Sequence, residues 1–267
     1  MKAKSILFSL IYVLLFLSCS KDKDETPSLP AEIETVINQL SESFSDLNSS
    51  IIDAAAHFEG NGFDSAAMRS QLLELYNSST FSTEFVYTSP SGIMEIIEPA
   101  EYYNYEGVDI SAQAHVINAF QTGEPVLSDA FTVVEGYQAA VVIHPMNKDN
   151  QLLGAISAVI MPEIVLGQVI EPIIQDQDFE MWVMEKSGLT LWDQDEEEIG
   201  LNLFTDPLYQ DFPELLDAAE EIANGLSGET SYSFYQAGMD MIVTKKTYWN
   251  TFSMLGNEWK IIWVKAE

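Results

Sequence analysis

The chain has 267 residues, 47% of them hydrophobic and 20% charged, a balance that fits a packed globular protein and excludes a wholly disordered one. Its 42 acids against 11 basic residues give a formal charge of −31 at pH 7, so it repels nucleic acid and anionic lipid headgroups, and a nucleic-acid partner is excluded. Cys19 is the single cysteine, so stability must come from packing and not from disulfides.

Residues 1–18 read as an export leader. Lys2 and Lys4 form a basic start, and the apolar run 6–17 is too short to span a bilayer comfortably. Phe16-Leu17-Ser18-Cys19 resembles a bacterial lipobox, with a small residue just before the cysteine. That resemblance implies a lipoprotein signal peptide over 1–18, acylation of Cys19, and attachment to the membrane through the acyl chains. An ordinary secretory leader cut nearby, leaving a free thiol, is the plainer alternative. Residues 19–30 are polar, charged and proline-bearing, and predict a flexible tether. Acids directly after the cysteine resemble surface-export signals of some Gram-negative lipoproteins, which favours an extracytoplasmic protein on the outer membrane or cell surface. A strand over 259–264, so near Glu267, leaves the expectation of no transmembrane helix and no cytoplasmic output module.

Past Pro30, apolar residues from Ile33 to Phe58 recur every three and four positions and predict one long helix, ended by Gly60-Asn61-Gly62. Asp64 is placed to cap a second helix carrying Met68, Leu72 and Leu75. Strands are predicted over 81–87 and 93–98, joined by the turn Ser89-Pro90-Ser91-Gly92. Asp109 or Ser111 should open a short helix through Phe120, closed by Gly123. Strands over 125–133, 137–144 and 152–160 follow, then a helix after Pro162. The pattern then repeats: a hairpin of 179–185 and 189–192 across Lys186-Ser187-Gly188, a helix within 207–224, and strands over 229–235, 239–248 and 258–264. The fold class is α+β: a long N-terminal helix followed by two tandem antiparallel-sheet modules.

Three stretches carry a family likeness: Tyr105 to Ser111 with Ala119 to Ser128; His144-Pro145 with Leu153 to Ile156 and Met161-Pro162; and Glu185 to Asp193 with Glu198 to Phe204. Their order resembles the extracellular double Cache sensor domain, over roughly residues 31–267. The likeness implies a helical segment at 31–80, a membrane-distal PAS-like module at 81–161, and a linker helix with a membrane-proximal PAS-like module at 162–267. It also implies a small-molecule site in the distal module, a transmembrane receptor as partner because the chain carries no output of its own, and possible homodimerisation through the N-terminal helix.

Amino-acid-binding members of that family use an arginine for the carboxylate, but Arg69, the one arginine here, falls in the second helix. The distal module offers Tyr102, Tyr103, Tyr105, Asp109, Glu135, Tyr137 and His144 instead, as the expected ligand-binding set. Aromatic walls with a few acids suit an uncharged or cationic ligand. The plainer reading is that the tyrosines cap the sheet. In the proximal module Trp182, Trp192, Tyr209, Tyr232 and Tyr248 are candidates for a second cavity, although aromatics at strand spacing more often build core. Asp193, Asp195, Glu196, Glu197 and Glu198 lack the glycine and spacing of a calcium loop and read as a solvated acidic turn. His57, His115 and His144 are too scattered for a metal cluster, and His115 reads as a core histidine.

No nucleophile elbow, phosphate loop, zinc helix or dinucleotide fingerprint is present, so the expected protein is not an enzyme and needs no cofactor. Two functions of different class remain. One is a ligand-binding sensory protein that passes occupancy to a partner receptor. The other is a ligand-free interaction module, with filled interiors and an apolar patch exposed along 33–58.

Overall fold

The computed structural model describes residues 28–267 apart from 237, 238 and 240. Cys19, the leader expected over 1–18 and the expected tether up to residue 27 lie outside the described residues. Among the described residues no helix is long and apolar enough to cross a membrane.

The first helix, α1 (Ala31–Asn61), is 31 residues and so about 46 Å long. Its buried positions, from Ile33 through Phe44 to Phe58, form the predicted stripe. After the turn at Gly62, α2 (Ser65–Ser78) starts where Asp64 accepts the Ala67 N–H at 2.8 Å. Residues 82–160 build the first sheet from β1 (Ser82–Thr88), β2 (Met94–Glu98), β3 (Val126–Leu127), β4 (Phe131–Thr132), β5 (Gln138–Lys148) and β6 (Gln151–Ile160). The order is β2-β1-β6-β5-β3, with β4 also on β5. α3 (Ala114–Thr122) covers one face. α4 (Pro162–Ile174) leads to the second sheet, made of β7 (Glu180–Glu185), β8 (Thr190–Asp193), β9 (Ser227–Tyr235), β10 (Ile242–Met254) and β11 (Asn257–Ala266) in the order β8-β7-β11-β10-β9. α5 (Pro213–Asn224) packs on β9.

The two sheets share one strand order, and the hairpins repeat in detail. Gly92 N–H returns to Ser89 O and Gly188 N–H to Glu185 O, each at 2.9 Å. The segment that follows then hooks back on the hairpin glycine, Ile110 N–H on Gly92 O at 2.8 Å and Leu203 N–H on Gly188 O at 2.9 Å. Gly92 has φ +83°, and a Cβ there would sit 2.4 Å from the Ser111 Cβ, so only glycine allows this hook.

Each sheet turns one face to α1 and the other to its own covering segments. Phe85, Tyr87, Val142, Ile156 and Ala158 share a core with α1, while Val86, Val141, Ile143, Ala155 and Val159 face the loops and α3. α1 lies across both modules: Phe44 meets Phe81 ahead of β1 (5.8 Å), Phe252 on β10 (5.5 Å) and Trp259 on β11 (5.4 Å between ring centres). The stripe from Ile33 to Phe58, offered by the sequence as a dimer face or an exposed patch, is therefore buried against the chain's own sheets.

Four local expectations need correction. The helix expected at Asp109 or Ser111 starts at Ala114, because Asp109 folds its carboxylate onto the Ser111 N–H at 2.9 Å and forms a turn. A 3-10 helix, Ala100–Tyr105, fills a stretch with no predicted element. The strand expected over 125–133 breaks into β3 and β4. Ser128 Oγ takes the Val141 N–H at 2.9 Å, and the Ala130 N–H leaves the sheet for Glu185 Oε1 in the second module at 2.6 Å. β10 runs on to Met254, since Leu255 and Gly256 close a two-residue hairpin with positive φ at both positions.

Candidate functional site

In the first module a small cavity, about 30 Å³, lies between the sheet and its cover. The sheet supplies Glu84, Val86 and Thr88 from β1 and Val141, Ser157 and Val159 from β5 and β6, all on the face away from α1. The cover supplies Gln113, His115, Phe131 and Glu135. This volume holds one water or one ammonium group and no whole metabolite, so a larger ligand needs the cover to shift.

The polar atoms lining it are unusual. Glu84 is fully buried, and its Oε2 has no hydrogen-bond partner; the same holds for Thr88 Oγ1 and Glu135 Oε1. Glu84 Oε1 accepts only a long bond from the Tyr137 hydroxyl, 3.4 Å, and that hydroxyl also meets Thr83 Oγ1 at 2.9 Å. Burial, then the nearby Glu135, push the Glu84 carboxyl up to about 8. Burial raises Glu135 as well. His115, beside Phe131, is lowered by burial to about 4 and is neutral at pH 7. The lining thus holds acceptors and no permanent cation.

Of the sequence-selected residues, Glu135 lines this cavity and Tyr137 supports Glu84 behind it. Tyr102, on the 3-10 helix, packs against the same core, its hydroxyl raised by burial and close to Tyr137. Tyr105 packs there too without lining the cavity. Tyr103 is exposed and faces outward, donating to Glu98 Oε1 at 2.6 Å beneath the Arg69 guanidinium. Asp109 is exposed, held low by the Ser111 hydrogen bonds. His144 sits on the α1 side of β5, lowered by burial despite the pull of Glu59 and Glu124. Glu84 and Thr88 were not legible as site residues: β1 is buried on both faces, so its alternation marks neither.

Arg69 clamps the cover. It bonds Glu98 at 3.0 Å, Glu106 at 2.6 Å and the Ile97 carbonyl at 3.3 Å, tying the 3-10 segment to β2. Arg69→Ala leaves the buried Glu98 carboxylate without its cation and is expected to cost about 2 kcal/mol. Urea unfolding with amide exchange across 100–106 checks this; a loss under about 0.5 kcal/mol would show the clamp to be idle.

The second module holds a larger space, about 380 Å³. Trp182, Tyr209 and Tyr232 line it, whereas Trp192 and Tyr248 pack in the core shared with α1. Asp193, Asp195, Glu197 and Glu198 also line it, so the reading of 193–198 as a solvated turn holds for the exposed Glu196 and Glu197 and not for the half-buried Asp193, Asp195 and Glu198. Burial and the neighbouring Glu198 hold Asp193 well above the usual carboxylate range. Among the described residues no group of three or more acids, histidines or cysteines is placed to hold a metal ion.

Residues 42–162 match the family model described as HK/GC/chemotaxis protein-like, sensor domain. Among solved structures the chain is similar to an extracellular ligand binding receptor from Desulfohalobium retbaense, at 24% identity and TM-score 0.75 over 89% of this chain and 40% of that one. It thus spans less than half of that receptor's length. It is also similar to ligand-binding domains of two Pseudomonas aeruginosa amino acid chemoreceptors. PctC, in complex with GABA, matches at 14% identity and TM-score 0.63 over 87% of this chain and 96% of that one. PctB, in complex with L-Arg, matches at 13% identity and TM-score 0.64 over 89% and 93%. No curated protein sequence matches the chain.

Proposed function

We propose that this chain, which has the double Cache-type fold and matches the HK/GC/chemotaxis protein-like sensor-domain model over 42–162, detects a small amine in its first module. The observation that carries this reading is the set of three unpaired acceptors, on Glu84, Thr88 and Glu135, around one cavity. A buried acceptor left unpaired costs about 1–3 kcal/mol, and an ammonium group brings three donors to a place with three vacant acceptors. GABA and L-Arg, bound by the two Pseudomonas domains, each carry a cationic nitrogen. Arg69 is held outside the cavity by Glu98 and Glu106, which leaves a ligand carboxylate without a cation there. An amine lacking a carboxylate is therefore favoured over an α-amino acid.

The chain in this reading is extracytoplasmic and anchored through acylated Cys19, with the first module distal to the membrane. α1 touches both sheets, so a shift of the cover and β1 on binding reaches the second module through one rigid element and is offered there to a transmembrane partner. The competing interaction-module reading offers the α1 stripe as one place for its exposed apolar patch, and that stripe is buried.

The test is a thermal-shift screen of the purified protein at pH 8 against primary amines, neutral amides and carboxylates. An amine at 100 times its Kd adds about 2.7 kcal/mol and raises Tm by roughly 5–10 °C. The shift should vanish in Glu84→Gln with Glu135→Gln. A response to carboxylates alone, or an amine response that survives the double substitution, defeats the assignment.

A further inference from the structure

The second module repeats the first in topology but not in its interior. Its cavity is more than ten times larger and holds a different chemistry. Five carboxyls line it, Glu180, Asp193, Asp195, Glu197 and Glu198, against one cation, Lys245. That lysine is buried, and its Nζ is bound to Glu180 Oε2 at 2.6 Å. Glu198 Oε2 accepts the Tyr209 hydroxyl at 2.9 Å, and Asp193 Oδ1 accepts the Asp195 N–H at 2.9 Å. Asp193 therefore keeps a second oxygen for a ligand, and the cavity keeps an excess of negative charge. The walls are aromatic, lined by Trp182, Tyr209 and Phe234, the last two with ring centres 5.8 Å apart. Such walls suit a cation's apolar flanks and attract its charge.

A second observation points to a ligand independently of the acids. Trp182 lines the cavity, is 7% exposed, and its indole N–H has no acceptor. The Tyr232 hydroxyl stands near it and near Thr247, yet neither Trp182 Nε1 nor Thr247 Oγ1 completes a hydrogen bond. Tyr232 is within reach but poorly aligned, so an oxygen acceptor brought by a ligand would complete the pairing of the Trp182 N–H.

We infer that the second module carries its own site, separate from the first, for a small organic cation bearing an oxygen acceptor: an amino alcohol, with its ammonium at Asp193 and Glu198 and its oxygen toward the Trp182 N–H. A cavity of about 380 Å³ takes such a molecule whole, without movement of the cover. The site does not depend on the amine reading of the first module, since no lining residue is shared.

Calorimetry and tryptophan fluorescence with 3-aminopropan-1-ol test it, on wild type and on the Glu84→Gln/Glu135→Gln protein, in which binding reports the second module alone. Propylamine is the probe without an oxygen, and glycolate the anionic one. The amino alcohol should bind the Glu84→Gln/Glu135→Gln protein, more tightly than propylamine, with glycolate silent. Asp193→Asn, introduced there, should weaken it at least 10-fold. Trp182→Phe should bring it down to the affinity of propylamine and leave propylamine unchanged. If Asp193→Asn does not fold, Glu198→Gln, on the same cluster, decides by the same 10-fold criterion. No binding to the Glu84→Gln/Glu135→Gln protein, or binding indifferent to the carboxyl and Trp182 substitutions, overturns the inference.

Discussion

Trp259→Ala is expected to lower the unfolding free energy by about 4 kcal/mol and to destabilise both modules in one transition. Trp259 is fully buried on β11 and makes an edge contact to Phe44 of α1 at 5.4 Å and a tilted one to Phe252 at 5.6 Å. Phe44 in turn touches Phe81 at the entrance to β1. Removing the indole therefore opens a void where α1, the second sheet and the start of the first sheet meet, and no single segment can collapse to fill it. The ring and the N–H should separate cleanly. Trp259 Nε1 has no partner, so Trp259→Phe loses volume but also removes a buried unpaired donor, and its cost should be nearer 1 kcal/mol. Urea unfolding followed by far-ultraviolet circular dichroism and by tryptophan fluorescence gives both numbers. Two separated transitions in wild type would show that the modules unfold apart and that this contact does not couple them.

How far the sequence led depends on whether a segment's partners are local. α1 was legible because its stripe is periodic, α2 because Asp64 caps it, and the two hairpins because Gly92 and Gly188 hold turn positions that only glycine takes easily. The break between β3 and β4 was not, since what pulls Ala130 out of the sheet is Glu185, 55 positions away. The cavity of the first module was half legible. Glu135 and Tyr137 stood out as polar residues among strands, but β1 and β5 are buried on both faces, and parity within such strands says nothing about which face meets α1. Hence nothing in the pattern marks Glu84, and the sheet separates His144 from the other candidate residues. The acids at 193–198 misled for the opposite reason. A run of charge resembles a solvated turn unless the chain folds part of it back over aromatic walls, as it does here at Asp193, Asp195 and Glu198 while Glu196 and Glu197 stay exposed.

Stability should fall between about pH 6.5 and pH 8, and Glu84→Gln should make that fall shallower. Glu84 is raised from the usual carboxylate range to about 8 by burial and by Glu135. The folded chain then keeps a proton that the unfolded chain has lost, so stability drops as pH rises toward 8, by at most about 1.4 kcal/mol per unit. His115 acts in the opposite sense. Its folded value of about 4 lies below the ordinary histidine range near 6.5, so the unfolded chain binds the extra proton and stability rises with pH between those values. The two opposing slopes offset each other below about 6.5; above it Glu84 acts together with the other carboxyls that burial raises, Glu135, Asp193 and Glu198. Glu185, raised to about 7 by burial, adds to the fall up to that point. Across pH 6.5 to 8 the Glu84 share is about 2 kcal/mol, and Glu84→Gln should be more stable than wild type at pH 8 by at least that much. Below 6.5 the same substitution should leave the His115 rise opposed by one carboxyl fewer, so the two profiles differ in slope there as well. A bound ammonium favours the carboxylate form, so amine affinity should increase toward pH 8 and binding should release a proton. Urea titrations at half-unit pH steps and calorimetry in two buffers of different ionisation enthalpy measure both. Parallel profiles for wild type and Glu84→Gln would mean that Glu84 is ionised in the folded chain, and the vacant acceptors would then not be a proton-holding amine site.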